Sequence, residues 1–378
     1  MYLHKSHRAT WAEINLEAIQ HNLMVIRNIA GEKTGIIGVV KADAYGHGAI
    51  NISRELVKMG VEYLAISNID EAIELRNAGI SSPLLLLGPI EPIEFGKIME
   101  FNISPTITSL DYAKELSEAF KYRGVFAKVH IKIDTGMGRL GISLESALSD
   151  IEQISKMGPF IIDGVYSHFP SSDDDIEYSN HQLTVFIDII KDIKKMGLKI
   201  KHYHIANSSG LINLPDSYKS PFSLIRPGLA IYGYSTTPNK DFKNSMSLKT
   251  KILSIRKMKK GETVSYLRQY TIDKDYEYIA VLPVGYADGI PTIYSGKGKV
   301  SIAGQYYPIV GRICMDYMMI SINNNSSGIK SGDLAIIFGD NTLSVEDFAK
   351  ASQRIPYEVT CDISKRVPRI YLRKEDVR

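Results

Sequence analysis

The stretch IIGVVKADAYGHG, residues 36–48, decides how this sequence is interpreted. An apolar run at Ile36–Val40 ends at Lys41, and a small, polar turn punctuated by glycine follows. A lysine at the end of a buried strand costs desolvation free energy unless the site uses it. Burial can lower the pKa of such a lysine until the neutral amine is able to form a Schiff base. The stretch therefore predicts a buried strand that ends at a candidate Schiff-base lysine.

Short apolar runs alternate with helical patterns from about residue 16 to residue 230. We predict strands at Ile36–Val40, Tyr63–Ile66, Leu84–Leu87, Ile103–Ile107, Phe126–Ile133, Phe160–Tyr166, Lys201–Ile205 and Ser223–Leu229. Helical patterns fill most of the intervals, as at Leu110–Phe120 and His181–Met196. Because strands that alternate with helices form parallel βα units, this pattern predicts a closed (β/α)8 TIM barrel. An open doubly wound sheet is the alternative, which the absence of a GxGxxG turn after the first strand disfavours.

The pattern changes after Ser235–Asn239, a turn-rich segment that predicts a linker. Strand-like runs follow at Met246–Ile255, Tyr278–Val284, Lys299–Ile302, Pro308–Val310, Tyr317–Ile320 and Leu334–Ile337, with one short helix at Val345–Gln353. We therefore predict an α/β protein with a barrel domain at 1–240 and a β-rich C-terminal domain at 241–378. An early strand at Thr10–Ile14 precedes the first barrel helix and is a candidate for pairing with the second domain.

The composition is that of an ordinary globular protein, with 44% hydrophobic and 23% charged residues and a net charge of +3. Without a basic block, it gives no case for nucleic acid or an acidic membrane. The apolar run Leu84–Leu87 is too short to span a bilayer, and Met1–Trp11 lacks the apolar core of a signal peptide. Cys314 and Cys361 have no metal-ligand spacing around them. These features predict a cytoplasmic protein with no metal site.

Polar side chains gather where the predicted barrel strands end. They are Lys41, Asp134–Arg139, His168, Asn207–Ser209 and Arg226–Gly228. Taken singly, a strand-end lysine reaches solvent, a histidine is structural and an arginine is a solvated charge. In a barrel, however, the strand ends meet at one mouth, where these groups suit an anionic ligand such as a phosphate plus a carboxylate. A Schiff-base lysine with a phosphate site is the arrangement expected for pyridoxal phosphate.

Several segments, in their order and spacing, resemble bacterial alanine racemases over nearly the whole chain. They are Trp11–Ile14, Val39–Gly48, Lys132–Gly141, His204–Ser208, Arg226–Gly228, Val284–Gly289 and Gly311–Asp316. The resemblance implies a fold-type III pyridoxal-phosphate enzyme and a homodimer with shared active sites. It also implies interconversion of L- and D-alanine, which would supply D-alanine for peptidoglycan.

The resemblance implies a role for each matching residue. Those matching cofactor-binding positions are Lys41, Tyr45, His168, Asn207, Ser208, Arg226, Gly228, Leu229 and Tyr371. The implied catalytic pair is Lys41, acting on the D enantiomer, and Tyr266 of a second copy of the chain, acting on the L enantiomer. His168, linked toward Arg226, is expected to stabilise the Tyr266 phenolate. The implied substrate-binding residues are Arg139, Met315 and Tyr286, supported by Lys132, a lysine often carbamylated in this family, and Asp316.

One departure from the family pattern lies beside the expected catalytic tyrosine. The family usually has glycine after that tyrosine, whereas this chain has Leu267. Since leucine lacks the freedom of glycine at positive φ and adds bulk beside the tyrosine, the shape of this loop and the size of the substrate stay open.

The sequence leaves other enzyme and binding classes open. A racemase of different specificity, such as one for serine, fits the same motifs. A barrel-type decarboxylase is disfavoured by Arg139 and Tyr266, and a non-catalytic pyridoxal-phosphate carrier by the second domain.

Overall fold

The computed structural model describes residues 7–234, 241–339 and 343–373. Its strands are β1 (Thr10–Asn15), β2 (Gly35–Val39), β3 (Tyr63–Ile66), β4 (Leu84–Leu86), β5 (Ile103–Ser104), β6 (Thr106–Ile107), β7 (Ala127–Lys132), β8 (Phe160–Tyr166), β9 (His202–His204), β10 (Leu224–Ile225), β11 (Met246–Lys251), β12 (Ser254–Lys259), β13 (Thr263–Val264), β14 (Tyr270–Thr271), β15 (Tyr276–Leu282), β16 (Lys299–Ile302), β17 (Gln305–Val310), β18 (Met318–Ser321), β19 (Leu334–Phe338) and β20 (Arg369–Leu372).

The helices of these residues are α1 (Leu16–Ala30), α2 (Lys41–Tyr45), α3 (Ala49–Lys58), α4 (Ile69–Asn77), α5 (Phe95–Glu100), α6 (Leu110–Arg123), α7 (Ala147–Ser155), α8 (Ile176–Lys195), α9 (Ser208–Asn213), α10 (Val345–Ala351) and α11 (Pro356–Asp362). Short 3-10 turns lie at Pro92–Glu94, Pro215–Ser217, Leu229–Tyr232, Tyr266–Arg268, Tyr286–Asp288 and Thr292–Tyr294. No helix of the described residues is long and apolar enough to cross a bilayer.

The chain divides into two compact units. The barrel unit consists of the described parts of 19–44 and 48–243, and the sheet unit of those of 1–18, 45–47 and 244–378. The predicted linker at 235–239 lies outside the described residues. The predicted domain boundary at residue 240 therefore stays a prediction.

The barrel unit is a ring of parallel strands. One sheet has the order β10-β2-β3-β4-β5 and the other the order β6-β7-β8-β9. Pro105 lacks an N–H and separates β5 from β6, but its carbonyl oxygen accepts from the His130 N–H at 3.0 Å and continues the ladder. Between β9 and β10 the Ser223 N–H donates to the Tyr203 carbonyl oxygen at 3.0 Å, which closes the ring.

Helices cover the outside of the ring with apolar stripes. In α8 the buried side chains Leu183, Phe186, Ile190 and Ile193 follow helical spacing. In α4, Asn68 caps the first turn because its Oδ1 atom accepts from the Glu71 N–H at 2.9 Å. The predicted barrel is confirmed, and the open doubly wound sheet is excluded.

The sheet unit is built on one large β-sheet of order β12-β15-β18-β17-β16-β19-β11-β1-β20. The early strand β1 lies between β11, which is antiparallel to it, and β20, which is parallel and sets Tyr371 opposite Ile14. The predicted run Met246–Ile255 is two strands, because the chain leaves the β19 ladder after Lys251 and joins β15 at Ser254. The hairpin β13–β14 lies beside a small apolar cluster that includes Met258, Val264 and Ile272.

The segment directly after Lys41 is a turn of left-handed helix. Ala42, Asp43, Ala44 and Tyr45 have φ angles of 52°, 53°, 53° and 54°. Because the left-handed conformation costs about 1–2 kcal/mol per L-residue, the run stores several kcal/mol of strain. In the barrel unit, the Ala42 N–H donates to Glu71 Oε1 and the Ala49 N–H to Asp43 Oδ1, each at 2.7 Å.

The sheet unit holds the remainder of this turn, Tyr45–His47. The Arg369 Nε–H donates to the Gly46 carbonyl oxygen at 3.0 Å, and the Tyr371 hydroxyl to that of His47 at 3.1 Å. A Cβ atom on Gly46 would run into the carbonyl oxygen of Thr360, so only glycine fits there. The strained turn is therefore fixed at both of its ends.

We expect Ala42→Gly to stabilise the protein by up to about 1 kcal/mol, because glycine removes left-handed strain at an exposed position. The control is Ala119→Gly in the right-handed helix α6, where glycine should destabilise by about 0.5–1 kcal/mol. Urea unfolding of the full chain measures both changes. Equal destabilisation by the two substitutions would show that the turn is not strained.

Candidate active site

Five basic side chains come together at the C-terminal ends of the barrel strands. They are Lys41 after β2, Lys132 at the end of β7, Arg139 in the next loop, His168 after β8 and Arg226 after β10. Burial lowers the pKa of Lys132 to about 8, and the charges of Arg226, Arg139 and Lys41 contribute. Burial and the same cations, together with Lys132, lower the pKa of His168 well below its usual value. The mouth therefore concentrates positive charge and keeps His168 neutral.

Arg226 is buried and held by neutral acceptors. Its Nη2 donates to the carbonyl oxygens of Ser167 at 2.6 Å and Ile205 at 3.1 Å, and lies 3.2 Å from His168 Nδ1. Its Nη1 lies 2.5 Å from His204 Nδ1. The described residues provide no acceptor for its Nε–H, so this donor remains for a ligand. Since His168 Nδ1 accepts from Arg226, the proton of this neutral imidazole lies on Nε2.

The loop that carries Arg139 is folded around Asp134. Asp134 Oδ1 accepts from the N–H groups of Gly136 at 2.9 Å, Met137 at 2.8 Å and Gly138 at 3.1 Å. Burial alone would raise the pKa of Asp134, but these hydrogen bonds lower it below its usual value. Arg139 itself is exposed. The loop presents a solvent-accessible guanidinium next to the buried Lys132.

Asn207 and Ser208 organise the start of α9. Asn207 Oδ1 accepts from the Gly210 N–H at 2.8 Å and from the Ser172 hydroxyl at 2.9 Å. Ser208 Oγ accepts from the N–H groups of Gly228 at 3.0 Å and Ala230 at 3.1 Å. Asn207 therefore caps the helix that positions Ser208, and its cofactor role stays a prediction.

The Gly228 N–H is already used by Ser208, which changes how this segment can bind an anion. The N–H of Leu229, which lies between the two bonded N–H groups, donates to no described residue. Ser208 Oγ accepts two hydrogen bonds and can still donate its own hydrogen. The Ser208 hydroxyl and the Leu229 N–H are the donors that remain for a phosphate.

In the sheet unit, Tyr45 and Tyr371 belong to one local arrangement. Tyr371 donates to the His47 carbonyl oxygen, two residues after Tyr45. Burial, with Cys361 and Tyr357 nearby, raises the pKa of Tyr45, which therefore stays a neutral phenol and a hydrogen-bond donor.

Tyr266 lies on a strained loop of the sheet unit and is 67% exposed. Ser265, Leu267 and Arg268 have φ angles of 68°, 58° and 52°. Leu267 therefore adopts the left-handed conformation that glycine favours, at a cost of about 1–2 kcal/mol. Its side chain is 81% exposed and meets no steric obstacle. The Ser265 hydroxyl donates to the Arg312 carbonyl oxygen at 2.6 Å and ties this loop to the one containing Met315.

The Met315 loop is paired with the turn that carries Tyr286. The N–H groups of Tyr286 and Ala287 donate to the carbonyl oxygens of Cys314 at 2.9 Å and Met315 at 3.0 Å. A Cβ atom on Gly285 would collide with both oxygens, so glycine permits the approach. The Met315 N–H donates to no described residue and faces no competing acceptor among them.

A buried carboxylate that sequence analysis missed supports this pair of loops. Asp288 Oδ1 accepts from Arg8 and from Arg366, each at 2.7 Å, and Arg366 also donates to Asp316 at 2.5 Å. Burial raises the pKa of Asp288, but the two arginines and the Gly285 N–H outweigh burial and lower it. The motif containing Asp288 was recognised, but the arginines are distant in sequence and gave no signal. In the described residues no group of three His, Cys, Asp or Glu side chains is placed to bind a metal.

Two family models cover most of the chain. Residues 14–236 match the alanine racemase N-terminal domain, and residues 245–371 match the alanine racemase C-terminal domain. The chain belongs to the alanine racemase family. Family membership and the barrel-plus-β fold class, both predicted from the sequence, are thereby confirmed.

Named relatives and solved structures agree with this assignment. Alanine racemase 2 of Caldanaerobacter subterraneus subsp. tengcongensis is 41% identical over 98% of this chain and 96% of its own. Alanine racemase 1 of Clostridium acetobutylicum is 41% identical over 98% of this chain and 97% of its own. The structure of the Clostridium difficile alanine racemase matches with a TM-score of 0.92 and 37% identity, covering 98% of both chains. The structure of the Bacillus anthracis alanine racemase with bound L-Ala-P matches with a TM-score of 0.90 and 31% identity. It covers 98% of this chain and 96% of its own.

The lowered pKa of Lys132 predicts a stability change with pH. The folded protein releases this proton near pH 8, whereas the unfolded chain keeps it to about pH 10.5. Because the unfolded state binds more protons in this pH range, the contribution of Lys132 to the free energy of unfolding rises with pH. We expect the stability of the wild type relative to Lys132→Met to rise between pH 8 and 10 by at most ~3 kcal/mol. Urea unfolding in CO2-free buffer measures the difference, and a constant difference would contradict the shift.

Proposed function

We propose that this chain is an alanine racemase that uses pyridoxal phosphate and acts as a homodimer. The observation that carries the proposal is the barrel mouth, where a strand-end lysine, a buried arginine with a remaining donor and two unused anion donors meet. Family membership supports alanine as the substrate. On this proposal the enzyme supplies D-alanine for peptidoglycan in the cytoplasm.

The donor set of the barrel mouth fits pyridoxal phosphate. Lys41 would attach it, and the Arg226 Nε–H would donate to the ring nitrogen. The Ser208 hydroxyl and the Leu229 N–H would donate to the phosphate, with the excess positive charge of the mouth favouring the anion. On the family pattern, Tyr45 and Tyr371 are further phosphate ligands. When bound, the cofactor supplies an electron sink that makes the Cα proton of an amino acid removable.

Inversion at Cα needs a base on one face and an acid on the other. We assign these roles to the Lys41 amine for the D enantiomer and to the Tyr266 hydroxyl for the L enantiomer. A phenol is a weak base at neutral pH, so its oxyanion needs a hydrogen-bond donor. The proton on His168 Nε2 is suited to this task, and His168 itself stays neutral. The positive charge beside His168 is that of Arg226.

Substrate binding would use groups that the structure leaves accessible. Arg139 would bind the substrate carboxylate as a guanidinium, and the Met315 N–H would donate to the same group. Tyr286 would line the substrate site. Asp316, held by Arg366, would fix the Met315 loop.

Lys132 would brace Arg139 if its amine were carbamylated. A neutral amine attacks CO2, forms an N–C bond and loses one proton, which leaves an anion. The lowered pKa makes the neutral amine available near pH 8, and the surrounding cations favour the anion.

The homodimer is supported by exposed side chains of the sheet unit. Tyr266, Leu267 and Met315 are 67%, 81% and 52% exposed, although two of them have proposed active-site roles. Exposed aromatic and apolar side chains that lie together mark interaction surfaces. On the family pattern, these residues complete the active site of the partner subunit.

The function is tested by incubating the enzyme and pyridoxal phosphate in deuterated water with alanine, serine, lysine or arginine. We expect racemisation with deuterium at Cα for alanine above the others. Faster turnover of serine or a larger amino acid would assign a different racemase specificity. Release of CO2 would assign a decarboxylase, and no α-proton exchange despite bound cofactor would assign a carrier.

In the same assay, Tyr266→Phe should lower racemisation at least about 100-fold, because it removes one of two acid–base groups. Exchange of the D-alanine α-proton should persist, since Lys41 is intact, and exchange of L-alanine should fall. Tyr276→Phe, on β15, is the matched control and should change neither. Equal exchange of both enantiomers by Tyr266→Phe would refute the assignment of faces.

Shared active sites predict complementation between two inactive chains. Co-expressed Lys41→Ala and Tyr266→Phe chains with different tags should recover about a quarter of wild-type activity, since about half of the dimers are hybrids with one intact site each. Purified hybrids should be active, and each variant alone should not. If both groups acted within one chain, no hybrid would have activity.

A further inference from the structure

A line of polar side chains runs from Arg226 into the core of the barrel. We call Arg226, His204, His130 and Asp163 the core relay. Arg226 Nη1 lies 2.5 Å from His204 Nδ1, and His204 Nε2 lies 3.0 Å from His130 Nδ1. His130 Nε2 is 4.0 Å from Asp163 Oδ2, which also accepts from the Tyr63 hydroxyl. All four relay residues are at most 5% exposed.

The hydrogen bonds of the relay can point in one direction only. An arginine donates and never accepts, so His204 Nδ1 must be unprotonated and its proton must lie on Nε2. That proton is donated to His130 Nδ1, which places the His130 proton on Nε2. The His130 Nε2–H then faces Asp163 and has no hydrogen-bond acceptor among the described residues. The 4.0 Å separation is too long for a hydrogen bond, so this last contact is electrostatic.

The relay holds one positive charge and one negative charge at its two ends. Burial lowers the pKa of His130 to about 3 and that of His204 well below its usual value, so both imidazoles are neutral. Burial raises the pKa of Asp163, but the Tyr63 hydrogen bond, with smaller contributions from nearby basic groups, outweighs this effect and lowers it. Asp163 is therefore ionised near neutral pH.

Asp163 is the carboxylate that the relay connects to Arg226. In the described residues Arg226 forms no direct ion pair, and its acceptors are carbonyl oxygens and imidazole nitrogens. A buried cation without a compensating anion is strongly destabilising. The other basic groups that face Asp163 are Lys128 on β7, which is exposed and screened by water, and His202 on β9, whose pKa is lowered by burial.

We propose that Asp163 is a positioning residue for Arg226, acting through the fixed proton order of His130 and His204. The carboxylate holds the His130 proton on Nε2, which keeps His204 Nδ1 as the acceptor for Arg226. Arg226 is thereby anchored from within the barrel, and its Nε–H stays available at the mouth. The effect on pyridoxal phosphate rests on the proposed function, whereas the proton order of the relay does not.

The decisive substitution is Asp163→Asn, which keeps the shape and removes the charge. An Asn amide can donate to His130 Nε2, which would move the His130 proton to Nδ1 and reverse the relay. His204 would then meet donors from both His130 and Arg226, so the Arg226 contact would be lost. Replacement of a carboxylate by an amide beside histidine is known to stabilise the wrong tautomer.

Glu277→Gln is the matched control. Glu277 is also a buried carboxylate, 1% exposed, and accepts from the Tyr270 and Ser321 hydroxyls in the sheet unit. Glu277→Gln replaces a buried carboxylate by an amide, as Asp163→Asn does, but at a position outside the core relay.

The test is NMR of the full-length protein labelled with 15N-histidine, with and without pyridoxal phosphate. In the wild type we expect both His130 and His204 as neutral Nε2–H tautomers, assigned by single histidine substitutions. A proton on Nδ1 of either residue would overturn the proposal. The wild-type protein alone gives this result, so it does not depend on whether a carboxylate variant folds. In Asp163→Asn the His130 signal should change to Nδ1–H, while Glu277→Gln should retain the wild-type pattern.

Titration with pyridoxal phosphate, followed by absorbance, provides the second readout. We expect the dissociation constant to rise about tenfold in Asp163→Asn and to stay within about threefold of wild type in Glu277→Gln. Equal losses in both would indicate a general cost of removing buried charge and would contradict the relay. Failure of the racemase assignment would appear in the substrate panel alone and would leave the histidine tautomers as expected.

Discussion

The buried guanidinium of Arg226 is the constraint on which the barrel mouth depends. It is 4% exposed and places a fixed positive charge among groups whose charged forms burial already disfavours. Its charge helps to keep His168 and His204 neutral and to lower the pKa of Lys132. Burial is the larger cause of these lowered pKa values, and Arg226 adds a permanent charge to it, because an arginine does not lose its proton at accessible pH. This positive charge suits an anionic ligand, such as a phosphate or a carboxylate.

Much of the barrel could be predicted because its strands are short, apolar and separated by helical patterns. Each predicted barrel strand overlaps one or two observed strands, and Pro105 explains why the fourth is divided in two. The sheet unit was harder, because its strands pair with partners distant in sequence. The split of Met246–Ile255 into β11 and β12 depends on which neighbour each half meets, and no local pattern encodes that choice. The strand β20 pairs with β1, which begins more than 350 residues earlier.

Residues of the candidate site that follow strand ends could be predicted from the sequence. The buried residues that support them from inside the barrel could not. Lys41, Arg139 and Arg226 could be found from strand positions alone, whereas Lys132 was found through the family resemblance. His130 had a weaker signal, since it lies two residues before Lys132 on the same face of β7 and therefore one layer deeper. Asp163 had none, because its partners His130 and Tyr63 lie on other strands. Whether the Gly228 N–H is available to a ligand also depends on tertiary structure, because this N–H donates to Ser208 of the preceding strand-end loop.

Backbone strain in this chain lies beside both proposed acid–base residues. Ala42–Tyr45 directly follow Lys41, and Ser265, Leu267 and Arg268 flank Tyr266. Left-handed conformations of non-glycine residues persist only where surrounding contacts determine them. In the first run the Ala42 N–H donates to Glu71. The two residues that follow the run, Gly46 and His47, accept from Arg369 and Tyr371. The second run is tied by Ser265 to Arg312, while Tyr266 and Leu267 remain exposed in the single chain. A strained loop with exposed side chains gains most from a surface that packs against it, and the proposed homodimer would supply such a surface.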